Sequence, residues 1–257
     1  MDFIQAIILG IIQGITEWLP VSSKAMVALA GKFLFGMDYQ TALSTAIFLH
    51  SGTLLAAIIY FRKEVIEIIQ SVFSKNKKDL LIFLIVTTVV TGIMGLPLMF
   101  IALNFEFPEA VFTIFIGVVL IGIAFLHKNR KEKSGARLTP KKAIIAGIAQ
   151  GLAAIPGVSR SGITLAALLG ENFSLEESLK ISFLMSIPAV FGVELALPLI
   201  KNNFTVSGEL IVGSLVAAGV GLVTIDFLLK IAKRKDFYKI IFGLGILIVI
   251  LGIGLLF

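Results

Sequence analysis

Long apolar stretches dominate the chain, and the polar residues gather in short clusters between them. Residues 80–104 and 240–257 carry no charge at all. A run of about 18 or more apolar residues is long enough for a helix to cross the hydrocarbon core. The pattern predicts six full spans: residues 39–61, 80–104, 110–127, 177–200, 210–229 and 240–257. Two further apolar segments, 2–36 and 143–170, read less well as straight spans, which stay the rival reading for either one. Each starts as an apolar helix and breaks at a proline, Pro20 in the first and Pro156-Gly157 in the second. Serines and a basic residue follow each break. Broken backbone at membrane depth survives only where protein or a wet cavity surrounds it, so two re-entrant helical hairpins are predicted.

The two broken segments also resemble each other. A shift of 137 residues carries Ala6, Gly10, Gln13 and Gly14 onto Ala143, Gly147, Gln150 and Gly151, and Val21-Ser22 onto Val158-Ser159. Three spans separate the copies. An odd number makes them enter from opposite faces, which is the inverted-repeat arrangement that puts a polar site near the midplane. The expected fold is therefore an all-α polytopic membrane protein. It is one integral membrane domain over residues 1–257, with repeat 1 at about 1–127 and repeat 2 at about 140–257.

Composition agrees with this and removes some functions. Hydrophobic residues make up 58% of the chain and charged residues 15%, too few charges for the surface of a soluble domain. There is no cysteine, which excludes thiol and disulfide chemistry. His50 and His127 are too few and too far apart to suggest zinc. Met1-Asp2-Phe3 has no basic run of the kind that opens a cleaved signal peptide, so the first helix is expected in the mature protein. The net charge of +6 would fit nucleic acid, but most Lys and Arg lie around 62–78, 128–142 and 230–239. That clustering reads as cytoplasmic loops by the positive-inside rule, with lipid headgroups and not nucleic acid as the partner.

Polar groups inside apolar spans are costly, so they are functional candidates. Gln13 and Glu17 share a helix face four residues apart, and Ser22, Ser23 and Lys24 follow Pro20. Ser159, Arg160, Ser161 and Gly162 follow the second break, with Thr164 beyond. A Ser- and Gly-rich turn at a helix start offers N–H and O–H donors to an anion, and Arg160 adds a fork matched to phosphate oxygens. Glu17 could hold a divalent cation, orient a nucleophile or move a proton. The competing reading makes Glu17 and Arg160 a buried structural ion pair. His50 reads either as a satisfied core residue or as a base. Helix packing is the expected role of Glu194 and Asp226, and His127 is expected at the interface.

These motifs resemble the undecaprenyl-diphosphate phosphatases of the bacitracin-resistance type. The similar stretches are Gly14-Ile-Thr-Glu17-Trp-Leu-Pro20-Val-Ser22-Ser23, Leu49-His-Ser-Gly52-Thr-Leu-Leu-Ala56, Pro156-Gly-Val-Ser159-Arg160-Ser161-Gly162 and Ser182-Phe-Leu184-Met-Ser-Ile-Pro188. The resemblance implies hydrolysis of a polyprenyl diphosphate to the monophosphate and inorganic phosphate, which recycles the glycan lipid carrier. It also implies a multi-pass protein of the cell membrane, an active site open to the outer face, and dependence on Mg²⁺ or Ca²⁺. A homodimer is among the expectations. By position, the resemblance implies Glu17 as the essential acid and, with Gln13, a cation ligand, Ser23 as the nucleophile, and Arg160 as the diphosphate-binding arginine. Gln13, Ser22, Lys24, Ser159, Ser161, Gly162 and Thr164 are then expected to bind the substrate's phosphates. Two positions depart from the pattern: Gln13 replaces a carboxylate and Met26 replaces a histidine. Lys24 and Arg160 could take over part of the lost charge neutralisation, and His50 could take over the base role. Transport of polyprenyl phosphate through the same anion site is the alternative function, because broken helices in inverted repeats also build transporters.

Overall fold

The computed structural model describes residues 1–73, 78–104, 109–128, 136–155, 158–200, 206–233, 237–254 and 256. Among these, the chain forms eleven α-helices and no strand. The predicted break at Pro156-Gly157 lies outside the described residues. So do most basic residues of the second loop, several of the other two, and the side chain of His127.

Two compact units form, each from separated pieces of chain. The first comprises Met1–Lys63 and Ser186–Leu228. It contains α1 (Phe3–Thr16), α2 (Ser23–Phe35), α3 (Tyr39–Tyr60), the second part of α9 (Leu175–Ile200) and most of α10 (Gly208–Ala232). The second comprises Glu64–Met185 and Leu229–Phe257. It contains α4 (Arg62–Phe73), α5 (Asp79–Asn104), α6 (Glu109–Lys128), α7 (Pro140–Leu152), α8 (Arg160–Gly170), the first part of α9, and α11 (Phe237–Gly254).

Local chemistry sets the helix starts. Asp2 and Gln5 form a reciprocal cap at α1: the Gln5 backbone N–H donates to Asp2 Oδ1 at 2.8 Å, and the Asp2 N–H donates to Gln5 Oε1 at 3.1 Å. Asp38 caps α3 by accepting from the Thr41 N–H. Thr139 caps α7, and Pro140 takes the first helical position, where its missing N–H costs nothing. Pro20 follows α1 closely and prevents its continuation.

Four helices are long and apolar enough to cross a membrane: Thr41–Tyr60, Asp79–Ile101, Leu175–Leu195 and Gly208–Ala232. They correspond to four of the six predicted spans. The described apolar stretches of the other two, Thr113–Gly122 and Tyr238–Gly254, are shorter. The broken segments are two helix–break–helix pieces. α1 packs on α2 and α7 packs on α8, each helix of 11 to 14 residues. At 1.5 Å per residue none is longer than about 21 Å, too short to cross alone.

Close backbone approaches hold the first helix of each piece in place. A Cβ on Gly10 would meet the Gly213 carbonyl and Val216, and one on Gly14 would meet Ala217 and Val220. In the second unit, a Cβ on Gly147 would meet the Thr87 carbonyl and Val90, and one on Gly151 would meet Thr91 and Met94. The shift of 137 that relates Gly10 to Gly147 and Gly14 to Gly151 is matched by a shift of 126 on the partner helix. It relates Gly213 to Thr87, Val216 to Val90, Ala217 to Thr91 and Val220 to Met94. So α1 sits on α10 as α7 sits on α5. Small residues permit this packing, which dispersion must drive where lipid removes the hydrophobic effect between helices.

Candidate functional site

In the first unit the polar residues of the broken segment converge on one oxygen. Glu17 ends α1, and its N–H donates to the Gln13 carbonyl at 3.0 Å. A carboxylate at a helix C-terminus faces the negative end of the dipole, so other donors must stabilise it. Three polar atoms surround its Oε2. Gln13 Nε2 donates at 3.0 Å, Ser23 Oγ donates at 2.6 Å, and His50 Nε2 stands at 3.1 Å. Glu17, Gln13 and Ser23 are all buried. Ser22 is the N-cap residue of α2 and Ser23 its first residue, so the positive end of α2 also faces this carboxylate.

His50 is fixed from both sides. Its Nδ1 lies 2.6 Å from the Ala46 carbonyl one turn earlier on α3. A carbonyl only accepts, so Nδ1 carries a hydrogen. The Nε2–Oε2 contact then needs one proton, held either by the imidazole or by the carboxyl group. Lys24 and Glu194 are further charges within electrostatic reach of His50. Glu194 comes from α9, and its Oε1 is buried without a hydrogen-bond partner. Sequence reasoning assigned it to helix packing. A charge within an apolar run was the available signal, but only the fold brings it to His50. Asp226 does hold helices together, accepting from Tyr60 Oη at 3.2 Å.

In the second unit, Ser159 caps α8 by accepting from the Gly162 N–H at 3.2 Å, and its hydroxyl lies 3.2 Å from that of Ser161. Thr164 is buried, and its hydroxyl lies 2.7 Å from the Arg160 carbonyl and 2.6 Å from Ser182 Oγ. The guanidinium of Arg160 donates through Nη1 to the Ser182 carbonyl at 3.4 Å. The Ser-rich turn therefore sets the start of α8 and ties it to α9. Ser182 was quoted within a similar stretch, but the sequence assigned it no role at this turn.

The donors around Glu17 bear on the implied cation. Among the described residues, no three His, Cys, Asp or Glu side chains come close enough to hold a metal. Glu17 Oε2 is already surrounded by the polar atoms of three side chains. Gln13 turns its N–H toward the carboxylate and leaves its buried Oε1 without a hydrogen-bond partner. A divalent cation wants six or more oxygens and repels N–H donors. These side chains do not fit one.

Known proteins match this chain along nearly all its length. Residues 6–253 match the family described as bacitracin resistance protein BacA. An undecaprenyl-diphosphatase of Methanococcoides burtonii is 42% identical over 257 residues, which is 96% of this chain and 97% of the relative. One of Saccharolobus islandicus is 39% identical over 268 residues, 98% and 99% respectively. One of Haloarcula marismortui is 35% identical over 253 residues, 93% of each chain. With helices interrupted at these polar sites and matches of this extent, the chain belongs to the bacitracin resistance protein BacA family.

Proposed function

We propose that this protein hydrolyses undecaprenyl diphosphate to undecaprenyl phosphate and inorganic phosphate. One observation carries the chemistry: the buried Ser23 hydroxyl donates to Glu17 Oε2 at 2.6 Å, with His50 on the same oxygen. That is the arrangement of a nucleophile with its base and a third group orienting the base. The Ser23 oxygen attacks the terminal phosphorus while Glu17 takes its proton. The bond from that phosphorus to the bridging oxygen breaks, and undecaprenyl phosphate leaves. Water then attacks the phosphoserine phosphorus, the bond from Ser23 oxygen to phosphorus breaks, Glu17 returns its proton to that oxygen, and the protons of the water leave with the released phosphate. Arg160, in the second unit, is assigned to the diphosphate oxygens through its planar fork. Lys24 contributes further positive charge. Ser22, Ser159, Ser161, Gly162 and Thr164 are assigned to shaping the two turns, through which N–H groups can face phosphate.

The same proposal includes the architecture. The reading is an inverted repeat with two re-entrant hairpins, basic loops in the cytoplasm and the site open to the outer face. The matched packing of α1 on α10 and α7 on α5 supports the repeat. The relatives bear the name of a hydrolase, which favours hydrolysis over transport.

Phosphate release from undecaprenyl diphosphate by purified protein in detergent micelles tests the reading. Micelles have no two sides to transport between. Release is expected, and its loss in Glu17→Gln is expected. Wild-type protein that binds the lipid and releases no phosphate would overturn it.

A further inference from the structure

We propose that two side chains of this protein, Gln13 and His50, serve Glu17 in place of a protein-held divalent cation, so that turnover does not require one. This rests on the hydrolase reading above. It concerns how the acid of that site is held.

Glu17 lies at the negative end of α1 and is buried, so an ionised carboxylate there needs compensation. A cation could supply it, but the space around Oε2 is filled by polar side-chain atoms. Gln13 is one turn before Glu17 on the same helix face. A carboxylate at 13 would place two like charges side by side, a pair that needs a cation between them. The amide reverses this, because its Nε2 donates to Glu17 directly at 3.0 Å. Turning the amide over would put Oε1 against the carboxylate, so the orientation is determined by electrostatics.

His50 supplies the second half. Nδ1 is tied to the Ala46 carbonyl, which directs Nε2 at Glu17. The shared proton on that line places positive charge, or a bound hydrogen, where a metal would otherwise sit. Met26, one turn into α2, has no donor, so the imidazole that reaches Glu17 comes from α3. Gln13 Oε1 remains as a buried acceptor without a partner. Gln13 and His50 are thus positioning residues that act through Glu17.

The experiment uses the full chain purified in detergent and stripped with EDTA. Undecaprenyl diphosphate is the substrate, and Mg²⁺ or Ca²⁺ is added back. The stripped wild type is expected to release phosphate within about threefold of the cation-supplied rate. Its thermal-unfolding midpoint is expected to be the same with and without cation. Gln13→Glu restores a carboxylate pair, and is expected to gain a cation-dependent rise in midpoint, because a ligand that binds only the folded state stabilises it. His50→Gln is expected to lower kcat by about tenfold or more, with KM within about twofold. A stripped wild type that stops and restarts on cation addition overturns the proposal. So does a cation-induced midpoint shift present in wild type and absent in Glu17→Gln, or an unchanged kcat in His50→Gln. The midpoint arm decides the matter even without turnover. Absence of release in wild type both with and without cation counts against hydrolysis itself.

Discussion

Ser23 Oγ lies 2.6 Å from Glu17 Oε2, across a break of chain that neither α1 nor α2 spans. The two residues are six apart, and the interruption at Pro20 lets the second helix start beside the end of the first. A continuous helix would rotate residues six apart onto different faces. The break therefore creates the site.

That hydrogen bond leads to the first prediction. Glu17→Gln keeps the size of the side chain and loses the base. Phosphate release should fall by about 10²-fold or more, the usual contribution of a positioned base. Ser23→Ala should fall at least as far if the hydroxyl is the nucleophile. Unchanged elution on size exclusion and unchanged helical circular dichroism would separate lost chemistry from lost fold. Retained kcat in Ser23→Ala would move the attack to water.

Arg160 is the second case. Its Nη1 reaches the Ser182 carbonyl at 3.4 Å, a long contact that a phosphate can replace. Arg160→Ala should lower kcat/KM by about 10²-fold, and Arg160→Lys should recover only part, since an ammonium has no planar fork. Initial rates across substrate concentration measure both. A near-normal kcat in Arg160→Ala would sink the assignment.

Packing makes a sharper demand at some glycines than at others. Gly14→Leu and Gly151→Leu would drive side chains into Val220 and Met94, and should cost about 1–3 kcal/mol or more. Gly92 in α5 has no atom near an added Cβ, so Gly92→Ala should stay within about 1 kcal/mol of wild type. Thermal unfolding in detergent ranks the three. Equal midpoints would contradict the close approach of α1 to α10 and of α7 to α5.

The pair Thr164 and Ser182 offers a measure of how firmly α8 is tied to α9. Their hydroxyls are 2.6 Å apart and both are buried. A double-mutant cycle with Thr164→Val and Ser182→Ala should give a coupling of about 0.6 kcal/mol, typical of hydrogen bonds between membrane helices. A coupling indistinguishable from zero would mean the contact contributes nothing. The Arg160→Lys rate in the Ser182→Ala background then tells whether that tie also orients Arg160.

Much of the site was legible because burying polar groups among apolar residues is expensive. Gln13, Glu17 and Ser23 stood out on that ground, as did Arg160 and the serines around it. His50 was legible only as a choice between core residue and base, since nothing in its own stretch says which neighbour it will face. Ser182 stood in a stretch similar to the family, but as one of three serines a turn apart in α9 it gave no sign of its own role. Glu194 gave a signal without an address, because a lone charge does not name its partner.

The pattern of apolar residues by itself determined that the chain is helical, where four of its long helices run, and where two shorter pairs break. Those are local matters of backbone hydrogen bonding and residue propensity. What only the tertiary structure decided is which atoms meet at Glu17. His50 arrives there from α3, across dozens of residues, and its approach depends on how the helices pack. Sequence spacing within a helix fixes which residues share a face. Which face turns toward which helix is settled by packing between segments far apart in the chain.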